Sequence, residues 1–167
     1  KGRKQKTTSL YDRFIEHGAV MGDSFGLEHV LWFANNKEDA YEEPTFHRSR
    51  AHKYVAEEVN SVRKEVGCSE IANFAKHLVI GRGARNYLNN ILAGKIPKAG
   101  RISLSPMLSH NGKLIGDLSV ACINEEKFML FGSGALQESH KRWFESFLPQ
   151  KDVQYKNCSD ELHGIAI

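Results

Sequence analysis

The apolar positions of this chain change period several times, and each change marks an element. Between 49 and 66, Val55, Val59, Val62 and Val66 recur at intervals of four and three, the period of one helical face, and Gly67 follows as a stop. That face is expected to be buried, with Glu57, Glu58, Arg63 and Lys64 on the wet side. A second helix is predicted over 83–93, with Ala84, Tyr87, Leu88 and Ile91 inward and Gly94 as its stop. A third spans 135–148, turns Leu136, Trp143, Phe144 and Phe147 inward and closes at Pro149. A short helix over 10–17 is expected to be capped by Ser9, with Asp12 near its positive end and Gly18 after it.

From Gly100 to Cys122 the period drops to two. Two strands are predicted, joined at Asn111-Gly112, a dipeptide that suits a type I′ hairpin turn. In the second strand Leu114, Gly116, Leu118, Val120 and Cys122 share one face, and Lys113, Ile115, Asp117, Ser119 and Ala121 the other. Further strands are expected at 28–34, 68–71, 77–80, 127–131, 153–155 and 164–167, with a turn at 22–25 and a polar loop at 35–44. The last strand breaks off in mid-pattern, and an exposed strand there invites pairing with a second copy. These elements make an α+β fold, mostly antiparallel sheet flanked by helices. Residues 1–44 read as an N-terminal arm and linker segment, and 45–167 as the main body.

Composition narrows this picture only a little. At 167 residues, 41% hydrophobic and 26% charged, the chain can bury a real core. Its net charge of +3 is concentrated in Lys1, Arg3, Lys4 and Lys6. A basic arm on a near-neutral body reads as solvated chain, not as a nucleic-acid interface. Cys68, Cys122 and Cys158 are too few and too scattered for a disulfide framework or a zinc site, and suit a reducing compartment. No apolar run approaches a membrane span. No signal peptide is expected, because the basic start leads into Thr7-Thr8-Ser9 and a charged helix. The chain does not begin with methionine, and it reads as a piece of something longer.

Candidate chemistry is sparse. Asp117 projects from mid-strand beside Gly116, which leaves room for a close approach. It reads either as a solvated residue on the wet face of a sheet or as a carboxylate that orients a ligand. Gly81-Arg82-Gly83 precedes a helix but lacks the third glycine of a dinucleotide fingerprint and the Gly-Lys of a P-loop. Gly132-Ser133-Gly134 is not a hydrolase elbow. None of the eight histidines has metal-ligand spacing; His47 and His52 read as surface or capping residues. Trp32, Trp143 and the phenylalanines fall at core spacings.

In combination these residues resemble the folate-binding aminomethyltransferase family, which includes the glycine cleavage T-protein and the folate halves of dimethylglycine and sarcosine dehydrogenases. Gly100, Met107, Leu108, Gly112, Asp117 and Leu118 match its central signature. Phe46, Arg48 and Ser49, followed by Val55, Glu58 and Val59, match the lead into its first helix. Gly81, Ala84 and Leu88 match its next helix start, and 96–100 the link to the signature. The stretches 8–12, 17–20 and 25–28 are similar to the dehydrogenase branch, where such a segment joins a flavin half to the folate half. There Gly26-Leu27-Glu28-His29-Val30 departs from the usual Gly-Trp-Glu-Arg-Pro.

The resemblance implies one β-β-α-β-β-β-α unit, and a second unit with further folate-contacting residues that this chain is expected to lack. It implies transfer of a one-carbon unit from an amine or iminium donor to tetrahydrofolate. Asp117 is then the catalytic carboxylate, and Leu104, Met107, Leu108 and Gly116 join it in holding the folate. Leu104 stands where the family often has a tyrosine. FAD belongs only to a separate flavin domain or subunit. Partners are therefore the folate and an amine donor, with no membrane and no nucleic acid, and a homo-oligomer stays open. The compartment is cytoplasmic, or the mitochondrial matrix in a eukaryote. The rival reading is a non-catalytic folate-binding or regulatory module on the same fold, and a folate-dependent demethylase is a third.

Overall fold

The computed structural model describes residues 4–71 and 73–167. Lys1 and Arg3 of the basic arm lie outside them. In chain order the elements are α1 (Tyr11–Glu16), β1 (Ala19–Ser24), β2 (Leu27–Phe33), α2 (Ala51–Lys64), β3 (Ser69–Glu70), β4 (Phe74–Ile80), α3 (Ala84–Ile91), β5 (Arg101–Leu108), β6 (Leu114–Asn124), β7 (Lys127–Ser133), α4 (Gln137–Ser146), β8 (Gln154–Asn157) and β9 (Ile165–Ala166). A single 3₁₀ turn over Gly134–Leu136 leads into α4. From β3 to α4 the order is β-β-α-β-β-β-α. Two compact units result, 1–72 with 163–167, and 73–162. The boundary expected at 44/45 falls inside the first of them.

The first unit is a β1–β2 ribbon with a helix on each face. Val20 pairs with Trp32 across the ribbon. Trp32 stacks on Tyr54 of α2 at 5.1 Å between ring centroids and 18° between planes. Ala19 and Met21 pack with Tyr11 of α1 on the other side. The stretch expected to be a turn at 22–25 is mostly strand. The reversal sits at Phe25-Gly26, both with positive φ (53° and 86°), where a bulky aromatic carries no turn signal.

α2 forms where its period predicts, but turned. Tyr54 is buried, and Glu58 accepts the backbone N–H of Phe33 at 3.0 Å, so the helix docks through its Tyr54–Glu58 side. The four valines stay exposed, rising to 75% at Val66. No side chain caps α1: the Ser9 N–H is instead donated to His163 Nε2 at 2.7 Å. The terminal strand finds its partner within the chain, because β9 pairs antiparallel with β3, Ser69 opposite Ala166 and Glu70 opposite Ile165.

The second unit is one antiparallel sheet in the order β5-β6-β7-β4-β8, with α3 and α4 contributing to the core on one face. Val79, Leu118, Val120, Phe128 and Leu130 meet Ala84, Leu88, Ile91 and Phe144 there. Tyr87 donates its hydroxyl to the Phe144 carbonyl at 2.5 Å and ties the two helices. Arg85 reaches the Pro97 carbonyl and Glu125, each at 3.0 Å, bracing the approach to β5 against the β6–β7 turn. The β5–β6 loop is longer than a two-residue turn. Ser109 and Lys113 close it, and Gly112 alone has a positive φ, 73°. On α4, Leu136 and Phe147 are exposed; the buried positions are His140 and Phe144.

Candidate functional site

The β5–β6 ladder sets the geometry around Asp117. Pro106 is opposite Asp117, Leu104 opposite Ser119 and Met107 opposite Gly116. Alternation along β6 sends Leu118, Val120 and Cys122 into the helix-covered core and leaves Asp117 exposed on the other face. Leu104, 66% exposed, shares that open face as the diagonal neighbour, with Ile102 (68%) and Ile115 near the same strands. Asp117 accepts no hydrogen bond and joins no ion pair among the described residues. Its lone pairs are therefore available on a rigid strand, in an apolar setting.

Of the five residues expected to hold a ligand, the structure thus brings Asp117 and Leu104 onto one face. Met107, 1% exposed, and Gly116 lie on the opposite, covered face. Leu108 follows a register slip between Met107 and Leu108 and pairs with Leu114 at the hairpin end of the ladder.

Behind Asp117 the covered face holds two histidines. His77 of β4 is fully buried, and its Nδ1 lies 2.9 Å from the Tyr155 hydroxyl. His140 of α4 stands edge-on to it, with ring centroids 5.6 Å apart. Burial pushes His77 down to about 4, with the neighbouring His140 adding to the effect. Burial also lowers His140, and the negative charge of Asp117 acts in the opposite sense. Both rings are neutral at pH 7. Burial raises the Tyr155 phenol in the same way.

In the first unit a surface cavity of about 330 Å³ is lined by Asp39, Arg48, Arg50, Lys53 and Tyr54 among others. Its central cation is already answered, as Arg50 pairs with Asp39 at 3.1 Å and Glu43 at 3.0 Å. None of the expected site residues lines it.

Asp117 thus stands on an antiparallel sheet backed by two helices, its carboxylate without a partner among the described residues. The profile of the GCVT N-terminal domain family matches residues 10–167. The chain belongs to that family. Human dimethylglycine dehydrogenase, named as mitochondrial, is 29% identical over 165 residues, 98% of this chain and 19% of its own length. The aminomethyltransferase of Thermotoga maritima is 26% identical over 163 residues, 96% of this chain and 40% of its own. The crystal structure of the glycine cleavage system aminomethyltransferase T from Bartonella henselae shares the fold, with a TM-score of 0.72 at 20% identity over 90% of this chain and 37% of that one. This GCVT N-terminal domain therefore spans less than half the length of those relatives.

Within the domain, no group of three His, Cys, Asp or Glu side chains could hold a metal ion among the described residues. No helix among them is long and apolar enough to cross a membrane. Cys68 is exposed, Cys122 and Cys158 are buried, and all three are free thiols. The residues that sequence reasoning passed over are His77 and His140. The signal for His140 was present in its spacing, one turn before Phe144 on α4, and in two glycines, Gly116 and Gly132, at core-facing positions of neighbouring strands.

Proposed function

We propose that this chain is the Asp117-bearing part of a tetrahydrofolate-dependent aminomethyltransferase, which passes a one-carbon unit from an amine-derived donor to the folate. The observation that carries this reading is the free Asp117 carboxylate on the open apolar face of β6. A carboxylate only accepts hydrogen bonds, and it fits a ring-bound secondary amine, which offers an N–H. Leu104, on the diagonal from Asp117, supplies apolar surface for a flat heterocycle, and Ile102 extends it further along β5. Tetrahydrofolate supplies the nucleophilic nitrogen when bound.

Asp117 has two tasks in this scheme. Its oxygen accepts the amine N–H and points the nitrogen lone pair toward the donor carbon. As the new C–N bond forms, Asp117 takes the proton from the attacking nitrogen; the donor nitrogen receives a proton as its own C–N bond breaks and leaves with the bonding pair as a neutral amine. General-base help of this kind is worth about 10²–10⁴-fold in rate. The ladder to β5 fixes the carboxylate, with Pro106 opposite Asp117, and β7 holds the same strand from Ser119 onward. Flavin chemistry, where it accompanies such a transferase, belongs to a separate domain or subunit.

The test is single-turnover transfer of a methylene unit from an amine donor to tetrahydrofolate, with Asp117→Asn as the comparison. A loss of about 10²-fold or more in rate upholds the role, and an unchanged rate removes it. Leu104 favours a second reading, a module that holds folate without turning it over, because an aliphatic side chain there gives up the ring contact of a tyrosine. That reading predicts Asp117-dependent binding with no transfer.

A further inference from the structure

The reverse side of the strand that carries Asp117 is built around one side chain. His140 is 1% exposed, and its ring lies across Gly116 of β6 and Gly132 of β7. A Cβ on Gly132 would stand 2.6 Å from His140 Cε1, and one on Gly116 would stand 3.3 Å from Nε2. The imidazole thus occupies volume that two side chains would otherwise fill. It meets β6 at the residue directly before Asp117. Neither Nδ1 nor Nε2 has a hydrogen-bond partner among the described residues. A buried polar atom without a partner is costly, and a phenyl ring would fill the same gap without that cost.

We propose that His140 is a positioning residue for Asp117: packed on Gly116 from behind, its ring fixes the peptide on which the carboxylate is mounted, and its nitrogens couple the two groups through the sheet. The inference rests on the reading of Asp117 as the group that meets the acceptor amine. His140 itself stays on the covered face and touches no ligand.

The charged and titratable neighbours are few. β6 brings Asp117, and β4 brings His77 with Tyr155 of β8 against it. β5 and β7 bring Met107 and Gly132, which carry no charge. α3 places Tyr87 in the same core, its hydroxyl committed to the Phe144 carbonyl. On α4 itself Lys141 is half-buried, and Glu138, Arg142 and Glu145 are exposed. Asp117 is thus the acidic group placed to answer a proton on His140. Protonation in mild acid puts a charge beneath Gly116, and that disturbs the peptide before the carboxylate.

NMR titration of the imidazole signals, in the wild type and in Asp117→Asn, tests the link without any ligand. The His140 midpoint is expected below the ordinary histidine value because the ring is buried, and lower again in Asp117→Asn, where the opposing negative charge is gone. An equal midpoint in the two proteins overturns the coupling. Tetrahydrofolate affinity, measured near neutral pH and in mild acid on protein shown to be folded by circular dichroism, tests the positioning. His140→Ala is expected to weaken binding about tenfold. His140→Phe, which keeps the gap filled should the alanine variant not fold, is expected to bind within about threefold of wild type at neutral pH and to lose less affinity in acid. A folded His140→Ala that binds as wild type, or an unchanged pH profile in His140→Phe, overturns the proposal. A wild type that does not bind tetrahydrofolate removes the functional reading instead, and the NMR comparison still upholds or overturns the His140–Asp117 link.

Discussion

At the scale of single residues, the side of the sheet on which a group emerges decides what it can do. Asp117 and Gly116 are neighbours in sequence and stand on opposite faces, so one is open to a ligand and the other to a histidine. This much was legible, because strict alternation from Leu114 to Cys122 fixes the faces whatever the tertiary setting. The histidine pair was not legible in the same way. His77 and His140 are 63 positions apart in sequence, and no local period links a strand residue to a helix residue across a sheet. Gly132 reports the closeness most directly. Its missing side chain makes room for both His140 and Leu118, whose Cδ2 would stand 2.6 Å from a Cβ there. Gly132→Ala is therefore expected to destabilise the domain by about 2–3 kcal/mol in chemical denaturation, with partial recovery when combined with His140→Ala.

Elements were easier to place than to orient. α2 lies where the valine period put it, yet the face that docks carries Tyr54 and Glu58. A valine stripe shows which positions are alike, but Trp32, a distant residue in β2, selects the side that packs. The consequence can be measured. Trp32→Ala is expected to cost about 3 kcal/mol, because it removes the stacked partner of Tyr54 and the largest side chain of the cluster under α2. Val62→Ser, on the exposed stripe, is expected to change stability by no more than about 0.5 kcal/mol. The hairpins show the same division. The β5–β6 pairing was evident from alternation, whereas its five-residue loop and the β1–β2 reversal at Phe25-Gly26 depend on backbone angles that the residue types do not announce.

For the whole molecule, the fold follows from a β-β-α-β-β-β-α order that sequence and structure share, and the family profile over 10–167 agrees with it. Acid sensitivity is the global property most directly tied to the second unit's core. His77 has a folded value of about 4 against 6.5 in an unfolded chain, and burial of the neutral ring is the main cause. The unfolded chain therefore binds the extra proton between those values. The stability contribution is complete above pH 6.5 and is lost progressively as the pH falls toward 4, by about 3 kcal/mol from this residue alone. Urea midpoints followed from pH 7.5 down to pH 4 are expected to fall along that window, and less steeply in His77→Phe.

The central claim is that Asp117 binds the folate amine. Calorimetric titration of the protein with tetrahydrofolate, beside Asp117→Asn, tests it most directly. The account predicts micromolar binding to the wild type, weakened about tenfold by the substitution. Binding of equal strength to both proteins, or none to the wild type, would contradict it.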